Sequence, residues 1–224
     1  MMKPRQSIGI FGTSGFALEA ADVVCLNGGE PLLIAQSMHD APAIDPGLRD
    51  PALINRALKI VPQSQVDRLE LDGFVIAIGN NDVRKRIHDE FASLPWTNLV
   101  HPDTTIGDSS LRSLSKRKGC IILAGARVSV NVRFGDFTIL NLNASVSHDC
   151  LLHDFCNICP GVNLSGNVEV GAGTFLGINT SVVNGGADGR LRIAAGTYVG
   201  AGAVITESIS EPGVYVGAPA RRIK

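Results

Sequence analysis

From residue 122 to residue 182 a large apolar side chain returns at every sixth position: Ile122, Val128, Phe134, Leu140, Val146, Leu152, Ile158, Leu164, Val170, Leu176 and Val182. At 45% hydrophobic composition a given frame would do this by chance roughly once or twice in ten thousand, so the repeat is a rule of the structure. The residue four places after each is restricted too. Ala126, Val132, Thr138, Ala144, Cys150, Cys156, Val162, Val168, Thr174 and Thr180 are small or β-branched, and only Gly186 departs. Six residues fit neither a helical turn nor the alternation of a plain strand. They fit short strands joined by corners, with one large and one small side chain pointing into a narrow prism on each face. The residue after the apolar one is often small, as at Gly135, Ser147, Ser165, Gly171 and Gly177, which suits a corner. Ile193, Val199 and Ile205 resume the step. The interval of 11 from Val182 to Ile193 is five more than a hexad, so Asn184-Gly185-Gly186-Ala187-Asp188-Gly189 is expected to loop out of the wall.

The first hundred residues have a different grammar. Ser7 to Phe11 is a short apolar run, Gly12-Thr13-Ser14-Gly15 a turn, and Phe16 to Leu26 a helix-compatible stretch that stops at Asn27-Gly28-Gly29. Pro31 to Ala35 and Phe74 to Ile78 are further candidate strands, and Asp82 to Leu94 is a charged amphipathic helix. Strands interleaved with helices imply a parallel sheet in a small α/β domain. His101-Pro102 marks the boundary, because the residue before proline is pushed out of helical conformation. The expected division is an α/β domain over 1–100 and the repeat domain with its tail over 101–224.

Composition narrows the functions. With 20 Lys and Arg against 21 Asp and Glu there is no broad basic field for nucleic acid or anionic lipid. Lys116-Arg117-Lys118 reads as a solvated basic loop. The start, Met1-Met2-Lys3-Pro4-Arg5-Gln6-Ser7, leads into an apolar run too short for a signal segment, and no later run reaches the ~18 apolar residues of a membrane span. A cytoplasmic protein is expected. Five cysteines suit reduced thiols better than a disulfide framework.

The hexads resemble those of the hexapeptide acyltransferases. The whole chain is similar to the PglD/NeuD-type sugar acetyltransferases, which place an α/β domain that binds a nucleotide sugar ahead of the repeats. The residues carrying the resemblance are Gly12-Thr13-Ser14-Gly15-Phe16, Ala77-Ile78-Gly79-Asn80-Asn81-Asp82-Val83-Arg84-Lys85, His101-Pro102, Ser147-His148-Asp149-Cys150, Leu164-Ser165-Gly166-Asn167-Val168 and Gly217-Ala218-Pro219-Ala220-Arg221. What the resemblance implies is an N-terminal Rossmann-like α/β domain, a left-handed parallel β-helix of three hexads per coil, and a homotrimer.

Acetyl transfer from a thioester to an amine needs a base for the amine proton and donors for the tetrahedral oxyanion. Histidine is the usual base near neutrality. His148 stands two places after the inward Val146 and should project outward, with Asp149 next to it to orient the ring. The bland alternative is a surface histidine on a corner. By resemblance the amine attacks acetyl-CoA directly, with no acyl-enzyme. His148 corresponds to the base, Asn141 contacts the sugar, and the backbone N–H of Gly166 lies near the thioester carbonyl. Gly177 and Ala201 complete the acetyl-CoA surface. Asn157 stands where relatives carry a second histidine, and an amide there donates a hydrogen bond without titrating.

Gly12, Ser14 and Gly15 form a strand-to-helix turn whose N–H groups suit phosphate, and Asn80-Asn81 follow a strand at its carboxyl end, so these five are the expected nucleotide-sugar contacts. The turn lacks the G-x-G-x-x-G pattern, and no acidic residue closes the second strand, where Ala35-Gln36-Ser37 stands, which excludes a redox dinucleotide. Cys156-x-x-Cys159 is explained by the hexad frame rather than by metal or redox use. His148 and His153 share the spacing of zinc hydratases on the same coil, but the only candidate third histidine, His101, belongs to the boundary. No metal is expected. The reading is an N-acetyltransferase for the 4-amino group of a nucleotide-linked amino-deoxy sugar in surface glycan biosynthesis. The alternatives are a sugar O-acetyltransferase of sialic-acid type and, from another class, a non-enzymatic nucleotide-sugar-binding scaffold.

Overall fold

The computed structural model describes residues 6–36, 58–186 and 189–224. Met1 to Arg5, Ser37, Ala187 and Asp188, which entered the readings above, lie outside the described residues. Strands β1 (Ser7–Phe11), β2 (Glu30–Ala35), β3 (Lys59–Pro62) and β4 (Gly73–Ile76) make one parallel sheet in the order β3-β2-β1-β4. Helix α1 (Gly15–Leu26) follows β1 and α2 (Asn81–Glu90) follows β4, the crossovers that parallel strands require. Helix α2 is shorter than its expected span to Leu94. It ends at Phe91 (φ −116°, ψ 41°), three residues before Leu94, whose conformation Pro95 restricts.

Strand β5 (Leu99–Val100) pairs with Ile121–Ile122 and so already belongs to the repeat architecture before the His101-Pro102 step. From there the chain winds a parallel β-helix with three walls. The first wall runs through Ile121–Ile122, Ile139–Leu140, Asn157–Ile158, Phe175–Leu176 and Tyr198–Val199. The second runs through Arg127–Val128, Ser145–Val146, Asn163–Leu164, Ser181–Val182 and Val204–Ile205, and the third through Leu151–Leu152, Val168–Val170 and Leu191–Ile193. One coil is 18 residues: Ile121 pairs with Ile139, Ser145 with Asn163, Leu151 with Glu169. The apolar hexad positions and their small partners form one continuous core, with Cys150 and Cys156 among the small ones. Burial pushes the Cys156 thiol up to about 12, so it behaves as packing rather than as a nucleophile.

The corner itself lies later in the hexad than the small residues suggested. Three places after each apolar residue from Ile122 to Leu176 the backbone turns left-handed, at Asn131, Phe137, Asn143, Asp149, Phe155, Asn167 and Asn179, with glycine at 125, 161 and 173. The small residues one place after the apolar one answer a different need: a Cβ on Gly177 would come within 2.7 Å of the Ala201 nitrogen on the next coil.

Two insertions leave the register intact. Thr105 pairs with Arg127, 22 residues on, because α3 (Asp108–Leu114) replaces the third-wall strand of the opening coil. Its serines satisfy the exposed edge beneath: Ser109, Ser110 and Ser113 hydroxyls accept from the N–H groups of Asn131, Val132 and Phe134 at 2.8, 2.9 and 3.1 Å. Phe175 pairs with Tyr198, 23 residues on, so the expected five-residue excursion lies outside the wall.

The α/β domain sits on the first wall. Ala17, Ala20, Ala21 and Val24 of α1 share one apolar cluster with Leu99, Ile121 and Ile139, the outward positions of that wall. Farther along, Arg84 of α2 is 1% exposed and pairs with no carboxylate among the described residues. Its guanidinium donates to the carbonyls of Phe137 (2.5 Å) and Phe155 (2.8 Å), two left-handed corner residues one coil apart. Asn81 donates to the carbonyl of Gly173, the next in that column, at 2.8 Å. No helix among the described residues is long and apolar enough to cross a membrane.

Candidate active site

Consecutive side chains on a strand point to opposite faces, so adjacent residues meet only where the backbone turns. Asp149 has φ 62°, the corner conformation, and this swings its carboxylate back to His148. His148 Nδ1 lies 2.8 Å from Asp149 Oδ2. A carboxylate can only accept, so Nδ1 is the donor in this contact, and in the neutral ring Nε2 then carries the lone pair. The imidazole is 60% exposed and open to a ligand, as expected for a residue outside the prism. Asn131, one coil earlier in the same column, donates to Asp149 Oδ1 at 3.2 Å. Its hydrogen bond from His148 first, and that from Asn131 second, hold the Asp149 carboxyl below its ordinary range.

Gly166 lies under the ring, one coil later: a Cβ there would stand 2.5 Å from His148 Cε1 and Nε2. The structure therefore brings His148, Asp149 and Gly166 together. Asn141, Gly177 and Ala201 stand elsewhere, on the corner where the first wall meets the second, at the other edge of the second wall from His148. His148 lies seven residues after Asn141, a span of up to about 23 Å. The Asn141 side chain accepts from the N–H of Leu142 at 2.7 Å.

In the α/β domain a cavity of about 280 Å3 opens at the carboxyl ends of β1, β2 and β4. Gly12, Thr13 and Ser14 line it, with Gln36, Gln63, Arg86 and Glu90, which sequence patterns did not single out. Gly12 is obligatory: its φ is 126°, and a Cβ would meet the Ala77 carbonyl at 2.7 Å. Three expected contacts are placed differently. Gly15 begins α1 outside the cavity lining, with open space where a Cβ would go. Asn80 is the N-cap of α2, accepting from Val83 N–H at 3.0 Å, and Asn81 bridges to the β-helix. Asn157, expected on the acetyl-CoA surface, is 3% exposed and donates to the Gly79 carbonyl at 2.8 Å. Its amide is committed to the domain contact because the loop before α2 folds down onto the first wall.

Comparison with known proteins follows these two halves. Residues 7–91 match the family described as PglD N-terminal domain. The chain is 28% identical over 147 residues to the GDP-perosamine N-acetyltransferase of Escherichia coli O157:H7, a match covering 65% of this chain and 54% of that protein. The chain thus spans about half the length of this curated relative. The fold is shared along nearly the full chain with the acetyltransferase domain of PglB from Neisseria gonorrhoeae FA1090, solved with acetyl coenzyme A (TM-score 0.80, 24% identity, 98% of this chain and 100% of that one). It is shared equally with PerB from Caulobacter crescentus, solved with CoA and GDP-perosamine (TM-score 0.79, 23% identity, 97% of each chain). Residues 7–91 are thus similar to the PglD N-terminal domain, and the fold of the whole chain, this domain followed by a parallel β-helix, is the one these acetyltransferase structures have.

Proposed function

We propose that the chain is an acetyl-CoA-dependent N-acetyltransferase acting on the 4-amino group of a nucleotide-linked amino-deoxy sugar, a step of surface glycan biosynthesis. The observation that carries this is the 2.8 Å contact of His148 Nδ1 with Asp149, which leaves Nε2 as an exposed base directly above Gly166. The amine nitrogen attacks the thioester carbonyl carbon and its proton passes to Nε2; the C–S bond then breaks and the imidazolium returns that proton to the leaving sulfur, giving the amide, free CoA thiol and the neutral base. Asp149 stabilises the imidazolium as it forms. The α/β cavity takes the nucleotide, and that remote binding energy positions the amine. The curated relative's name and the CoA and GDP-perosamine in PerB favour this substrate class.

The active species in this reading is a homotrimer. His148 and Gly166 occupy one edge of the second wall, whereas Asn141, Gly177 and Ala201 occupy the other, so one copy supplies only half of the expected site. A neighbouring copy that presents its opposite edge completes it, and a cyclic trimer gives three equivalent sites. The direct test supplies acetyl-CoA with UDP-, dTDP- and GDP-linked amino sugars and follows thiol release. Turnover with at least one, and formation of an amide in the product, is expected. Thiol release only with hydroxyl acceptors would replace the reading by O-acetylation, and none with any acceptor would reject it.

A further inference from the structure

Beside the dyad, on the side facing α3, lies a groove of about 510 Å3 that the chemistry above does not use. Five cations from four places in the sequence line it: Arg112 on α3, Lys116 and Arg117 in the turn after it, Arg133 on the second coil and Arg190 after the five-residue excursion. Its single acidic residue is Asp149, already hydrogen-bonded to His148 and Asn131. Arg112 pairs with Asp108 on its own helix, but among the described residues no ion pair engages Lys116, Arg117, Arg133 or Arg190. Ser109 and Ser113 also line the groove. Their oxygens accept backbone N–H groups of the next coil, which leaves each hydroxyl proton free to donate into it.

Arg190 is within electrostatic reach of Asp149 and Glu169, but the five cations still outnumber the carboxylates beside them, and the arrangement gains most from a ligand with several anionic oxygens. Guanidinium forks match phosphate in both geometry and charge. We infer that this groove is a binding site for a diphosphate or phosphate group, held next to the His148–Asp149 dyad. Both substrates of the proposed reaction carry such groups, so the choice of ligand rests on that reading, whereas anion binding itself does not.

Inorganic pyrophosphate is the first probe, titrated calorimetrically into the full chain at about 50 mM salt, where screening is weak. The wild type should bind it, and Arg133→Gln/Arg190→Gln should lose about tenfold or more of that affinity with its circular dichroism unchanged. CoA, dephospho-CoA and nucleoside diphosphates then separate the sources. A loss confined to CoA assigns the groove to the CoA phosphates, and a loss confined to nucleoside diphosphate assigns it to the sugar nucleotide. No saturable binding of pyrophosphate to the wild type, or equal binding of every probe by wild type and variant, overturns the inference. Its fate is separable from that of the acetyl-transfer reading. Arginine-dependent anion binding by a protein that acetylates no acceptor would leave the groove standing alone, whereas undiminished turnover and affinity in the double variant would remove only the groove.

Discussion

His148 and Asp149 face each other across 2.8 Å although they are neighbours in sequence, because the left-handed turn at Asp149 reverses the direction its side chain would take on a strand. The dyad is thus a product of the coil corner. His148→Ala should lower kcat by about 100-fold or more, the usual worth of a general base. Asp149→Asn should preserve the turn, since Asn occupies the equivalent corner at 131, 143, 167 and 179, yet lower kcat by removing the charge beside the imidazolium. Thiol-release kinetics with a thermal melt on each variant check both. Near-normal turnover in His148→Ala would dismiss it as the base.

The hydrogen bonds to Asp149 set a pH signature. Its folded-state carboxyl is depressed, so the stabilisation from pairing is present above the ordinary carboxylate value of about 3.9 and is lost as pH falls through the lower folded value. Carbon-13 titration should find Asp149 below about 3.9, and the value should rise in His148→Ala more than in Asn131→Ala, following the order of the two causes. A normal Asp149 titration would mean that the pair does not persist in solution.

Gly166 offers a way to move the base without removing it. A Cβ at this position would stand 2.5 Å from the imidazole, the mobile end of an exposed side chain, and the backbone there needs no left-handed φ. Gly166→Ala should therefore fold with a melting temperature near wild type while kcat falls several-fold through displacement of the ring. A large loss of stability with turnover per folded molecule unchanged would contradict this.

Arg84 should behave as the buried lock between the halves. Removing it strips donors from the Phe137 and Phe155 carbonyls and opens a cavity under α2. Arg84→Ala should cost about 3 kcal/mol or more in urea unfolding. Arg84→Lys should recover part of that loss, as an ammonium can reach one carbonyl but not both in the fork geometry of the guanidinium. Equal stability of Arg84→Ala and wild type would show that apolar contacts through α1 suffice.

The proposed sharing of each site between copies predicts complementation. Sedimentation should give a trimer, and His148→Ala and Ala201→Trp, each inactive alone, should regain a fraction of wild-type turnover after being unfolded and refolded together. Mixed trimers contain some sites whose two edges are both intact. Failure to regain activity, with mixed trimers demonstrated by tagged subunits, would place the whole site within one copy.

Much of the β-helix could be read from residues such as Val146, Leu152 and Ile158, because an inward position tolerates few side chains and repeats with every wall. The corner residues Asn131, Asn143 and Asn179 carried an equally periodic signal, one favouring left-handed backbone, that apolar counting passes over. Helix α3 escaped because Ser-rich Asp108–Leu114 has too short an apolar pattern, its serines serving the neighbouring coil's backbone. Asn81 and Asn157 were legible as polar residues at a site. The carbonyls their amides bond, those of Gly173 and Gly79, lie 92 and 78 residues away, and only the docking of the two domains brings them together. The groove was hidden for the same reason: Lys116 and Arg117 read as a solvated loop until Arg133 and Arg190 arrive beside them.

The 18-residue coil gives the wall something akin to a reading frame. Deleting one residue between Ile139 and Leu176 would rotate every later side chain off its face, turning inward leucines out and moving His148 or its neighbours away from the corner, just as a frameshift garbles all downstream codons. The segment holding α3 and the excursion before Leu191 already absorb four and five extra residues while Thr105–Arg127 and Phe175–Tyr198 stay paired. Those two places are where natural variation in length can accumulate, and both border the basic groove, so changes in loop length there would retune what the groove accepts while leaving the prism intact.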